Sequence, residues 1–394
     1  MITLTLKPGR EKSLLNRHPW VFSGAIDRMD SQPTSGETVL LRAHDGRFLG
    51  YAAFSPASQI RARVWSVNEQ AVIDEAFLHR RLQQAIAARP AIRHDAGQRL
   101  VHGESDGLPG LVVDQYGPVL VLQALSAGIE RFKPALVESL RQLTDCQCIY
   151  ERSDVDVRTL EGLPPQAGVL WGQLPAGVLN IEEYGLRMQV DVVNGQKTGF
   201  YLDQRENRRR IGELARDRDM LNCFCFSGGF SLAALRGGAR HVVSVDSSAE
   251  ALQQAERNLQ LNGLDPARAD WVEADAFKYL RLLRDQGRSF DLIILDPPKF
   301  APTAQHVEKA ARAYKDINLL GLKLLRPGGL LATFTCSGGV SADLLQKIVA
   351  SAAVDARCDA SIVERFTAAP DHPVALSFPE GDYLKGLLVR KAGA

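Results

Sequence analysis

The chain lacks any apolar stretch long enough to cross a membrane. Its most apolar stretches, residues 119–125 and 292–295, fall far short of the roughly 18 residues that a helical span needs. It also lacks an excess of either charge. Lys plus Arg number 47 and Asp plus Glu 46, a formal net charge of +1 in 394 residues, which excludes a polybasic chain but leaves room for a local basic face. Cysteine is scarce: six residues in so long a chain do not make a disulfide framework. The start, Met1-Ile-Thr-Leu-Thr-Leu-Lys7, has no charged region followed by an apolar one. No export signal is expected, and the thiols should be reduced in a cytoplasmic protein. What remains is an ordinary globular composition, 45% hydrophobic and 24% charged, with a length that suggests two or three domains.

Residues 1–70 read as a small β unit. Segments 38–42, 48–53 and 59–65 alternate or are β-rich, and Asp45-Gly46 marks a hairpin turn between the first two. This unit carries nine Lys or Arg against six Asp or Glu, a mildly basic net of +3 that an ordinary solvated face would also explain. Residues 74–193 read as a central α+β region. Helices are expected over 74–88 and 128–143, strands over 99–102, 111–114, 119–124 and 148–151, and a hairpin over 179–184 and 186–193. Residues 194–394 form the third region. From Asp219 onward strands and helices alternate strictly, with strands over 220–226, 241–246, 270–273, 290–295 and 329–335. Helical patterns fill the gaps, over 230–236, 249–261, 276–284, 307–325 and 342–352. That alternation predicts an α/β fold, a doubly wound and mostly parallel sheet. Two last strands, 360–366 and 383–391, would add an antiparallel edge.

Five expected strand ends carry groups suited to a ligand. Cys225-Phe226-Ser227-Gly228-Gly229 closes the first strand of the sheet, where glycine allows close approach to the backbone. Asp246, 18 residues after Gly228, could accept both hydroxyls of a ribose. The G-x-G-x-x-G phosphate fingerprint is absent, so a nucleoside without a pyrophosphate, such as S-adenosylmethionine, suits the turn better than a dinucleotide. Asp275-Ala276 follows the third strand, where the carboxylate could take an adenine amine, cap a helix, or do both. Asp296-Pro297-Pro298-Lys299-Phe300 follows the fourth. Its prolines stiffen the loop and leave carbonyls free, which suits the exocyclic amine of a nucleobase. Cys336, after the fifth strand in Thr335-Cys336-Ser337-Gly338-Gly339, could attack an electron-poor carbon or could simply be a buried apolar cysteine. Cys146, Cys148, Cys223, Cys225 and Cys358 read as structural. Their C-x-C spacings and the lack of a histidine cluster offer no metal site.

The run Gly195-Gln-Lys-Thr-Gly-Phe-Tyr-Leu-Asp-Gln-Arg-Glu-Asn-Arg208, with Asp296-Pro-Pro-Lys-Phe300 and Thr335-Cys-Ser-Gly338, resembles the class I S-adenosylmethionine-dependent RNA methyltransferases. Within them it is most similar to the bacterial large-subunit (23S) ribosomal RNA cytosine-5 methyltransferase I family. His18-Pro-Trp-Val-Phe-Ser-Gly24 resembles that family's PUA domain, a small RNA-binding β module. The string from His102 to Asp114 resembles its central domain, and Asp371-His-Pro-Val-Ala-Leu-Ser-Phe-Pro-Glu380 with Tyr383-Leu-Lys-Gly386 resembles its C-terminal edge.

The resemblance implies a Rossmann-like methyltransferase sheet with S-adenosylmethionine as cofactor and ribosomal RNA as partner, with a homodimer among the allowed assemblies. It makes Cys336 the nucleophile and Asp296 the group that holds the target base. Phe226, Ser227, Gly228, Asp246, Asp275, Ala276 and Asp296 would line the cofactor pocket. Many cytosine-5 enzymes carry a second cysteine in the Pro-Pro loop, where this chain has Lys299, so release of the RNA adduct must use another base. Lys197, Arg205, Arg208 and Lys299 could hold phosphates or be ordinary surface charges. Uridine carbon-5 methylation, purine nitrogen methylation and a non-catalytic RNA-binding or ribosome-assembly role are the rival readings.

Overall fold

The structure, a computed structural model, describes residues 1–90, 95–300 and 307–393. These divide into two compact units. The first comprises Met1–Ile181, Val190–Leu202 and Pro370–Gly381; the second comprises Glu182–Gln189, Asp203–Ala369 and Asp382–Ala394. No helix among the described residues is long and apolar enough to cross a membrane.

The first unit holds two sheets. One has six strands in the order Trp20–Phe22, Ile60–Ser66, Phe48–Phe54, Thr38–Arg42, Thr3–Leu6, Ile26–Met29. Alternation places Leu4, Leu6, Val39, Leu41, Ala52 and Phe54 inside, where they form one small core. The other has five strands, in the order Gln166–Gly172, Cys148–Ser153, Val119–Ala124, Leu111–Tyr116, Gly97–His102. Helices Glu75–Ala87 and Ala127–Leu143 share a core with it through Leu78, Leu82, Ile129, Leu136 and Leu140. Both helices start on a side-chain cap: Asp74 accepts from the Phe77 amide, and Ser126 from the Ile129 amide. The two sheets are tied by hydrogen bonds. Trp20 Nε1 donates to Glu104 Oε1 at 2.8 Å, and Ser55 Oγ donates to Glu161 Oε2 at 2.8 Å.

The second unit is built on one seven-stranded sheet. Its strands in chain order are β1 (Asp219–Cys223), β2 (His241–Asp246), β3 (Ala269–Glu273), β4 (Phe290–Leu295), β5 (Leu325–Thr335), β6 (Ala360–Thr367) and β7 (Lys385–Lys391). Its helices are α1 (Arg205–Leu214), α2 (Gly229–Arg236), α3 (Ala249–Leu261), α4 (Ala276–Asp285), α5 (Val307–Leu324) and α6 (Ala342–Ala356). The spatial order is β3-β2-β1-β4-β5-β7-β6. The first five strands run parallel and β7 is antiparallel to both β5 and β6, as the alternation and the last two strands predicted. Leu221, Val243, Val245, Ile293, Leu295 and Leu331 are fully or almost fully buried, each contributing about 1.5–3 kcal/mol of burial. Strand order reverses between β1 and β4. In such sheets a ligand binds in the crevice outside the strand C-termini at that reversal.

Several expected element ends move, among them the helix expected over 342–352, which runs to Ala356, and the strand expected over 383–391, which begins at Lys385. β1 stops at Cys223 rather than residue 226, because Phe224 (φ 62°) and Phe226 (φ 49°) turn the chain into the left-handed region. β5 begins at Leu325 rather than residue 329: its register with β4 slips between Phe290 and Leu292, which takes up Pro327-Gly328-Gly329. The hairpin strand Leu186–Val190 is three residues shorter than expected.

Candidate active site

The turn after β1 is pinned from three sides. Phe226 N donates to Asp246 Oδ2 at 2.8 Å, and Ser248 N to Asp246 Oδ1 at 3.0 Å, so the Asp246 carboxylate locks the β1 turn to the end of β2. Asn258 on α3 donates to the Ser227 carbonyl at 3.1 Å. Gly228 sits at φ 81° and opens α2. A Cβ there would come within 2.9 Å of both Ala255 Cβ and Trp271 Cη2, so only glycine fits. Two bulky residues in the left-handed region next to a glycine are strained backbone of the kind found at ligand sites.

Asp275 caps α4, with Oδ1 accepting from the Lys278 amide at 2.9 Å, and it stays exposed while Ala276 is buried behind it. The cap is therefore real, and the carboxylate remains open to solvent. Phe224, Phe277, Phe300 and Tyr314 form a chain of edge-on and tilted rings beside these strand ends, with centroids 4.9–6.5 Å apart. None of these four was given a role from the sequence, although Phe300 ends the Asp296–Phe300 string. Their spacing gives no period, and only the turn geometry brings them together.

Asp296 follows β4 and is half-buried. Its Oδ2 accepts from Gln204 Nε2 at 3.0 Å. Gln204 Oε1 in turn accepts from Asn207 Nδ2 at 2.6 Å, and Asn207 also donates to the Thr367 carbonyl at 3.0 Å. Two amides from the 195–208 run thus orient the Asp296 loop, a role that the run's pattern does not disclose.

Cys336 follows β5, the neighbour of β4, where Leu295 pairs with Thr333. Four of the six cysteines are buried, whereas Cys336 and Cys358 are half-exposed. Burial pushes the Cys223 and Cys225 thiols far above their ordinary value, which keeps both protonated and inert. Tyr314 on α5 braces the residues on either side of Cys336. Its hydroxyl accepts from Thr335 Oγ1 at 2.8 Å and lies 3.1 Å from Ser337 Oγ. Burial raises the Tyr314 pKa, so that hydroxyl stays protonated and can donate as well as accept.

The expected phosphate-binding residues separate. Lys299 and Lys197 are exposed, the latter in the first unit with Nζ 4.3 Å from the Tyr201 ring centroid. Arg205 is mostly buried, its Nε 3.6 Å from Glu206 Oε1. Arg208 corrects the expectation. It is buried at 5% exposure, and its guanidinium forks onto Glu183 at 2.9 and 2.7 Å, so it is an internal ion pair facing no solvent phosphate. In the first unit, a surface cleft of about 480 Å³ on the six-stranded sheet is lined by Arg10, Lys12, Ser13, Trp20 and Phe22. Trp20 and Phe22 belong to the His18–Gly24 string read from the sequence, whereas Arg10, Lys12 and Ser13 were not singled out.

Residues 98–390 match the family model described as S-adenosylmethionine-dependent methyltransferase, and residues 4–67 match a PUA-like domain. Across 388 residues, 98% of each chain, the sequence is 52% identical to a Cronobacter sakazakii protein named "Ribosomal RNA large subunit methyltransferase I". A Shewanella amazonensis protein of the same name is 51% identical over 393 residues, 99% of each chain. The chain belongs to the ribosomal RNA large subunit methyltransferase I family of S-adenosylmethionine-dependent methyltransferases. Its fold agrees with solved structures of lower identity. A Streptococcus mutans protein described as a candidate SAM-dependent methyltransferase superposes with a TM-score of 0.85 at 22% identity, covering 99% of this chain and 100% of that one. A second, described as a candidate methyltransferase complexed with SAH, gives 0.86 at 22% identity with the same coverage.

Membership of this family makes S-adenosylmethionine the cofactor, and the β1–β2 edge fits it. The Ser227 hydroxyl is buried without a hydrogen-bond partner among the described residues, and such an orphaned donor calls for a ligand atom. Gly228 keeps the turn free of a Cβ, and Asp246 and Asp275 present carboxylates at the next two strand ends.

Proposed function

We propose that this methyltransferase modifies carbon-5 of a cytidine in large-subunit ribosomal RNA, with Cys336 as the covalent nucleophile. The observation that carries the reading is a half-exposed thiol just past β5, with Tyr314 bracing the residues on either side of it, next to the strand that Asp296 follows. The printed name of the curated relatives supports the RNA class.

When bound, S-adenosylmethionine supplies an electrophilic methyl carbon; Ser227, Asp246 and Asp275 would hold it. The chain's own groups do the rest. Carbon-5 of cytosine is a weak nucleophile, and a bond from Cys336 Sγ to carbon-6 pushes electron density onto it. Asp296, fixed by Gln204, stabilises the ring as charge shifts during addition. Once carbon-5 is methylated, transfer of its proton to a water or side-chain base restores the carbon-5–carbon-6 double bond and expels Sγ as a thiolate. A base within helical RNA must be exposed for this, which implies a single-stranded or flipped target. The PUA-like sheet, with Arg10 and Lys12 at its cleft, would grip RNA. Exposed Lys299 and Lys197 would hold phosphates.

The test is to map modified bases in ribosomal RNA from cells with and without this protein. One 5-methylcytidine lost from the large-subunit RNA and restored by the intact gene, but not by Cys336→Ala, is the expected result. Loss of a methylated uridine or purine nitrogen instead would reassign the chemistry.

A further inference from the structure

The two ends of the parallel strands carry their charges differently. At the N-terminal ends, Arg240 and Arg326 are each shared between Asp219 and Asp291 at 2.7–3.1 Å, so two cations meet two carboxylates. The C-terminal ends, where the crevice lies, are different. Lys278, Lys299, Lys309 and Arg312 are all exposed there, and none has a carboxylate within ion-pair distance among the described residues. Packing draws the four to one seam. Phe277, beside Lys278, packs on Phe300, beside Lys299, with ring centroids 5.8 Å apart, and Phe300 packs on Tyr314 of α5 at 4.9 Å. One turn further along each helix, Arg281 of α4 bridges to Asp316 of α5. Residues three or four apart share a helix face, so Lys278 and Arg312 stand on the same seam, one turn nearer the strand C-termini than that bridge.

The nearby acids leave these cations unpaired. Asp275 caps α4 by accepting from the Lys278 amide at 2.9 Å, and Asp296 accepts from Gln204. Glu273 and Glu308 are exposed and make no ion pair with any of the four. Residues 300–307 include no Asp or Glu. Lys278 and Lys309 are each the third residue of their helix, where a cation opposes the macrodipole. Unpaired cations gathered on one seam, two of them against the preference of their own helices, suit a chain of phosphates. Resting on the reading of large-subunit RNA as the substrate, we propose that the α4–α5 seam carries the RNA backbone that flanks the target base. Lys278, Lys309 and Arg312 join Lys299 there as phosphate ligands.

The test is the salt dependence of binding between the full-length protein and transcribed large-subunit ribosomal RNA. The triple variant Lys278→Gln, Lys309→Gln, Arg312→Gln removes three proposed contacts. A control triple, Arg216→Gln, Lys323→Gln, Arg390→Gln, removes the same charge from exposed residues elsewhere in the unit. The seam variant should lower the slope of log affinity against log salt by about 2, at about 0.7 per single-stranded phosphate, and weaken binding about tenfold or more near 0.1 M salt. KM for RNA should rise with kcat unchanged. S-adenosylmethionine affinity should hold, and the thermal midpoint should not fall, because the lysines oppose their helices. Should the triple variant not fold, each single substitution should lower the slope by about 0.7. A seam variant whose slope and affinity match those of the control overturns the proposal while leaving the RNA reading intact. A wild-type protein that binds no RNA overturns both.

Discussion

Replacing Asp246 by Asn should weaken S-adenosylmethionine binding by about 10- to 100-fold while leaving the sheet folded. The carboxylate makes two amide hydrogen bonds at once, from Phe226 N at 2.8 Å and Ser248 N at 3.0 Å. An Asn side chain keeps the shape but has one acceptor oxygen, so one amide loses its partner and the other loses its charge assistance. Hydrogen bonds to a charged group are worth about 1.5–3 kcal/mol, and about 1.4 kcal/mol is a tenfold change in affinity. The loss falls on the cofactor turn itself. Phe226 is held at φ 49° by that bond, and Gly228 opens α2 two residues later. A charged ribose acceptor disappears in the same substitution. Isothermal titration with S-adenosylmethionine measures the affinity, and a thermal melt in parallel separates it from global unfolding. Wild-type affinity in a folded Asp246→Asn protein would refute the placement of the cofactor on this edge.

Gly228→Ala should abolish cofactor binding at low micromolar concentrations, since its Cβ would sit 2.9 Å from Ala255 and Trp271; normal titration would show that the turn can yield. Arg208→Ala should cost about 3–5 kcal/mol in urea unfolding, because it strands the Glu183 carboxylate in a buried site. An unchanged unfolding midpoint would return Arg208 to a surface role. Asp219 is drawn down from 3.8 to about 2, first by its hydrogen bond to Arg240 and then by Arg326, against the opposing effect of burial. A depressed carboxylate contributes its stability fully above the unfolded value and loses it as pH falls through the folded one. The stability gap between wild type and Asp219→Asn should therefore be full at pH 6 and shrink between about pH 4 and 2. A gap independent of pH would contradict the pairing. Replacing Arg10 and Lys12 together by Ala should weaken RNA binding and flatten its salt dependence without changing cofactor affinity. Equal RNA affinity would remove the PUA-like cleft from the RNA path.

The parallel sheet was legible because its signals are local. The run 290–295 is almost wholly apolar, and Asp246, Asp296 and Cys336 each stand just past a strand, at the edge where the topology concentrates chemistry. What stayed hidden depends on distant partners. Arg208 lies in a run with Arg205, Arg209 and Arg210 that looks like a solvated helix face. Only Glu183, on a hairpin 25 residues earlier, turns it inward. Gln204 and Asn207 look like ordinary polar positions until Asp296 and Thr367 arrive beside them. The end of β1 was misjudged because Phe224 and Phe226 have strand propensity, and tertiary hydrogen bonds to β2 override it.

The most direct test of the central claim is to incubate the enzyme with S-adenosylmethionine and ribosomal RNA containing 5-fluorocytidine, then denature and weigh the protein. Fluorine cannot leave carbon-5 as a proton does, so the sulfur–carbon-6 bond should persist. The account predicts a denaturation-resistant protein–RNA adduct whose crosslinked peptide contains Cys336 and which is absent from Cys336→Ala. A Cys336→Ala protein that methylates the natural RNA at the wild-type rate would contradict it, and an adduct formed only with 5-fluorouridine would make the target a uridine.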